Sequence, residues 1–156
     1  MKDQEKGGNT LTNIIRGKQI SRVDLHYRVA FYHNLSPDQM DQTISIELMK
    51  KQDKRTAEKI YGALLSAVYV DHAYNGEVMS ERPGFEKLLE DARAGKFDMI
   101  VTPTLKHFTA SSDETLQITE ELLALPAPVV IRFEKDMLDS EFIHEILPLL
   151  RKVKHG

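Results

Sequence analysis

Three histidines and two carboxylates fall where a folded chain would gather reactive groups. His33, His72 and His107 lie at or just past the ends of three short apolar runs, and Asp71 and Glu134 stand at matching positions. Neutral imidazoles beside a carboxylate can bind a divalent ion such as zinc, or move protons. Histidines near strand ends are more often partly exposed loop residues, and neither a metal nor a cofactor is expected. A second group is cationic: Lys50, Lys51, Lys54, Arg55 and Lys59 crowd one segment. Such a cluster is usually a solvated helix face, with contact to a DNA backbone as its functional alternative. Ser36, followed by Pro37 and by Gln39 three positions on, has the pattern of a helix N-cap whatever else it does. Arg82, just before Pro83, could pair with Glu81 or Glu86 on the surface.

Elements must position these residues. Arg28 to Tyr32 is a short strand-forming run. A long helix is expected from about Ile44 to Leu65, with Met49, Thr56, Ala57, Ile60, Tyr61, Leu64 and Leu65 as its apolar stripe. Ala67 to Val70 reads as a buried strand ending in Asp71-His72. Pro83 opens a helix that Gly95 closes, and Met99-Ile100-Val101 follows as a strand. Pro103 to Ser111 reads as a loop. Ser111 with Glu114 forms a capping box for a helix to about Leu125. Pro128 to Phe133 is a fourth strand, and a last helix runs from about Ser140 to Lys152, with Pro148 expected to kink or interrupt it. Strands alternating with amphipathic helices imply a three-layer α/β sandwich, a four-stranded, mainly parallel sheet covered on both faces. In such folds ligands sit beyond the carboxyl ends of the strands, which points to segments 33–36, 71–80, 102–111 and 134–139.

The passage from Glu81 to Val101 resembles the serine recombinase (resolvase/invertase) N-terminal catalytic domain. Tyr32-His33-Asn34-Leu35-Ser36 is similar to that family's Tyr-x-Arg-x-Ser, whose serine is the nucleophile. Ser45-Ile46-Glu47 resembles the start of its long helix, Asp71 through Gly76 its Asp-x-Gly-x-Ser-Gly loop, and Phe133-Glu134 the end of its fourth strand. The resemblance implies Ser36 as nucleophile, Arg82 as a phosphate ligand and Asp71 as a further site residue. It also exposes departures. Asn34 replaces the arginine two before the serine, and Met49 stands where a glutamine is expected. The family's Leu-Ser/Asp-Arg-Leu-Gly-Arg is here Leu105 to Ala110, so His107 and Ala110 replace arginines, leaving Lys106 and His107 as substitute ligands. Guanidinium forks hold phosphate oxygens bidentately in a way that lysine and histidine do not reproduce.

The 156 residues allow one domain with a substantial core, expected over 28–156 behind a flexible or loosely docked arm at 1–27. No cysteine is present, which fits a reducing cytoplasm and excludes disulfides and thiolate metal sites. The first ten residues lack the apolar core of a secretory signal, and no run approaches a membrane span. A net charge of −3 argues against strong autonomous DNA binding. In the family, a dimerisation helix and a DNA-binding domain follow the catalytic domain, whereas this sequence stops at Gly156. Phe142, Ile143, Ile146, Leu149 and Leu150 on the last helix suggest a self-association surface. The first expectation is a recombinase-like domain for site-specific DNA recombination with impaired catalysis. A second is a non-catalytic module that forms a homodimer or pairs with an intact recombinase. A third is a small hydrolase or metal-binding protein reusing the cleft.

Overall fold

The computed structural model describes residues 24–35, 43–72, 82–109 and 111–155. Its elements are β1 (Asp24–Asn34), α1 (Thr43–Lys59), β2 (Ala63–Asp71), α2 (Pro83–Arg93), β3 (Met99–Thr102), α3 (Leu105–Phe108), α4 (Ser112–Leu123), β4 (Val130–Phe133), β5 (Leu138–Asp139) and α5 (Ser140–His155). The sheet order is β2-β1-β3-β4-β5. The first four strands are parallel, and β5 pairs antiparallel with β4. The expected mainly parallel sandwich is therefore present, with a fifth strand of two residues added at its edge.

Alternation along β1 divides the core. Ala30 and Tyr32 join Phe85, Leu88, Phe108, Leu122, Ile131 and Ile143 on the face covered by α2, α4 and α5. Val29 and Phe31 join Ala57, Tyr61, Met99 and Val101 on the face covered by α1. β3 is buried along its whole length, which explains its continuous apolar sequence. α2 buries Phe85, Leu88, Leu89 and Ala92, an i, i+3, i+4, i+7 stripe. It ends before Gly95, whose φ of 75° is the left-handed conformation that glycine adopts without a Cβ penalty. Ser111 caps α4 as expected, its hydroxyl accepting from the Glu114 N–H at 3.2 Å.

Four expectations are corrected. The first long helix stops at Lys59 rather than Leu65, because Gly62 turns the chain at φ 59° and Ala63 to Leu65 enter β2. β1 begins at Asp24, four residues before the strand-forming run that starts at Arg28. The loop at 103–111 contains the single-turn helix α3, too short to show a period. Finally, α5 runs through Pro148 to His155 without interruption. The rest of the arm, and the cap at Ser36, lie outside the described residues. Among the described residues no helix is long and apolar enough to cross a membrane.

Candidate active site

The carboxyl ends of β1, β3 and β4 open onto a cleft of about 450 Å³. His33, Asn34, Asp53, His107, Glu134 and Lys135 are among its lining residues, so α1, α3 and the turn after β4 all contribute. Ser36, the expected nucleophile, lies outside the described residues.

Arg82 and Asp71 lie on the α2 side of β1, away from the open cleft. Asp71, at the end of β2, accepts the Gly84 and Phe85 N–H groups, both at 2.8 Å. It thereby satisfies two of the orphan donors that open α2, a task its own N-cap side chain does not perform. The fit is close. A Cβ on Gly84 would lie 2.9 and 3.0 Å from the two Asp71 carboxylate oxygens, so glycine is required there. The Tyr32 hydroxyl donates to Asp71 at 2.8 Å and accepts from Arg82 Nε at 3.1 Å. Burial pushes the Tyr32 phenol above its ordinary value, Arg82 pulls it down and Asp71 raises it, so the hydroxyl keeps its proton. Arg82 Nη2 donates to the Phe108 carbonyl at 2.6 Å, and the guanidinium lies 3.9 Å from the Phe85 ring centroid. Only 1% of Arg82 is exposed. Its charge is held by a phenol, a carbonyl and two aromatic faces.

Lys106 and His107 stand on α3. Lys106 is exposed. The His107 N–H donates to the Thr104 hydroxyl at 3.2 Å, and its ring Nδ1 also contacts that hydroxyl. Burial holds the His107 pKa below the ordinary 6.5, and the Lys106 and Lys135 charges lower it further, outweighing Asp136. At neutral pH the neutral form of this ring is therefore favoured. Asn34 is buried, and its amide donates to the His107 carbonyl at 3.3 Å. Lys50, Lys51, Lys54 and Arg55 are all exposed on α1.

The histidines do not converge on an ion. Among the described residues no group of three or more His, Asp or Glu side chains is placed to hold a metal. His33 pairs with Asp53 at 2.7 Å, an association absent from the sequence reading. The signal was there: Asp53 is the lone acid within the buried stripe of a lysine-rich helix. His72 Nε2 is buried with no partner among the described residues. Glu134, at the cleft rim, accepts from the Tyr61 hydroxyl at 3.1 Å.

The family profile described as "Resolvase, N terminal domain" matches residues 29–151. The fold is similar to the N-terminal catalytic domain of TP901-1 integrase, at 20% identity and a TM-score of 0.60, covering 82% of this chain and 96% of that one. It is also similar to a resolvase family site-specific recombinase from Streptococcus pneumoniae, at 22% identity and a TM-score of 0.57, covering 83% of this chain and 88% of that one. No curated protein sequence matches the chain.

Proposed function

Since the chain belongs to the resolvase family of site-specific serine recombinases and carries its N-terminal catalytic domain, we propose that its strand-cleavage chemistry is impaired. One observation carries this reading: the retained Arg82 spends its guanidinium inside the protein, on Tyr32 and the Phe108 carbonyl. Attack of a serine oxygen on a phosphodiester builds charge that must be met by preorganised donors. Each donor lost typically costs ~2.7–4 kcal/mol of transition-state stabilisation. Here Asn34, His107 and Ala110 replace three arginines. An uncharged His107 does not supply the cation, and Lys106 offers a point charge in place of a fork.

In this reading Ser36 is the nucleophile position, Lys106 and His107 are weak phosphate ligands, and Arg82 and Asp71 hold the scaffold under them. The exposed Lys50, Lys51, Lys54 and Arg55 add weak, salt-dependent contact with the DNA backbone. The test is capture of covalent protein–DNA adducts on denaturing gels from cells expressing the chain or its Ser36→Ala variant. The two should give the same background. A strong adduct that Ser36→Ala abolishes would show intact cleavage and overturn the proposal.

A second reading, self-association without chemistry, is supported by α5. Phe142 and Leu149 are 48% and 58% exposed. Phe142 borders a groove of about 450 Å³ in which Leu105, Leu138, Ile143 and Ile146 form an apolar wall beside Lys106, Ser111 and Ser112. Sedimentation should find a dimer that Phe142→Glu dissociates and Ser36→Ala leaves intact. A monomer at high concentration counts against it.

A further inference from the structure

His33 occupies the variable position of the family's Tyr-x-Arg-x-Ser pattern, so its chemistry is this chain's own. Side-chain alternation along β1 sends Tyr32 toward α2 and His33 toward α1, where Asp53 meets it. Asp53 lies within the buried stripe of α1 and is 6% exposed. A carboxylate so placed needs a partner. Although α1 carries five cations, the described partner of Asp53 is His33, Nε2 to Oδ2 at 2.7 Å. The acceptor carboxylate places the imidazole proton on Nε2 and leaves the lone pair on Nδ1. Among the described residues Nδ1 has no hydrogen-bond partner. Nor is it one of the sealed, unpaired side-chain atoms, which are His72 Nε2 and Thr119 Oγ1. The open nitrogen belongs to a residue that lines the cleft, and Phe31 stacks behind the ring with centroids 6.4 Å apart.

We propose that His33, oriented by Asp53, is a general base of this cleft and activates water against a phosphodiester. The phosphodiester class rests on the recombinase reading; the base itself rests on the geometry. Nδ1 takes a proton from water as the water oxygen bonds to phosphorus. The bond from phosphorus to the leaving oxygen breaks, and its electron pair departs on that oxygen. An aryl leaving group departs as a phenolate and needs no proton, while the imidazolium returns its proton to solvent. The other charged or titratable groups at the cleft are His107 from α3, and Glu134 and Lys135 after β4. Asp71 of the neighbouring strand is turned to the opposite side, onto Tyr32 and α2. Asp53 is a positioning residue, since an amide in its place would donate to Nε2 and move the lone pair away from the cleft.

The test is release of nitrophenolate from bis(p-nitrophenyl) phosphate by the full chain across a pH series. Release should exceed the buffer blank and rise with pH through one ionisation. His33→Ala and Asp53→Asn should each reduce it by about 10²-fold or more, with circular dichroism unchanged. His33→Asn, closer in volume, should lose the same activity if His33→Ala misfolds. Release equal to the blank, a flat pH profile, or variants as fast as the parent protein would overturn the assignment. Failure of the impaired-recombinase reading would appear separately, as a Ser36-dependent DNA adduct.

Discussion

The two sides of β1 treat their polar groups in opposite ways. On the α2 side, Arg82, Tyr32 and Asp71 form a hydrogen-bonded chain that is buried within the protein. On the α1 side, His33 and Asp53 answer each other through one nitrogen and leave the second beside a cleft. Both arrangements join elements distant in sequence, and both bury a carboxylate. The first is bonded into the fold through Tyr32 and the Phe108 carbonyl, and its loss should be read in stability. The second has an unused lone pair, and its loss should be read in proton transfer. Arg82, which the family pattern shares, and His33, which is particular to this chain, thus lie to opposite sides of one strand.

The largest effect expected on stability is from Arg82. Arg82→Ala removes a large, fully buried side chain and leaves the Phe108 carbonyl without its donor. A cavity and an unsatisfied buried group together should destabilise the fold by about 3–5 kcal/mol. Urea denaturation measures this, and a loss under 1 kcal/mol would mean that the guanidinium is not holding α3. Gly84→Ala should come next, at about 1–3 kcal/mol, because the new Cβ displaces the Asp71 carboxylate from the α2 amides. Neither change should alter the His33–Asp53 side directly. If Gly84→Ala and Asp53→Asn lowered stability equally, the contrast between a closed and an open side would collapse.

The closed side was the more legible in sequence. Pro83, the apolar stripe from Phe85 to Ala92 and Gly95 are local signals, and local signals specify α2 and the strand after it. The end of α1 was hidden because Ile60, Tyr61, Leu64 and Leu65 continue the helical period past Gly62. A side chain's period does not reveal a backbone turn. α3 and β5, at four and two residues, are too short to carry any period. The hold of Asp71 on the start of α2 was not legible because its partners are amide groups 13 and 14 residues away, invisible to residue-type reasoning. The His33–Asp53 pair spans 20 residues and two elements, so only tertiary packing defines it. The histidines drew attention as a set of three, whereas the fold pairs one of them with an acid.

The smallest effect, and the finest test of the contrast, is the charge of His107. Burial, then Lys106 and Lys135, hold its pKa below the ordinary 6.5. The unfolded chain therefore takes up this proton first as pH falls. The His107 contribution to stability is intact above pH 6.5 and declines between that value and the lower folded pKa, where it levels off. Lys106→Gln removes the second cause and keeps the first, so the His107 ring resonance should titrate closer to 6.5 without reaching it. An unchanged or lower midpoint by NMR would show that Lys106 does not act on the ring. A rise would mean that Lys106 discourages His107 from carrying the positive charge that a phosphate contact needs. A lysine beside a half-buried imidazole lacks the planar fork of a guanidinium.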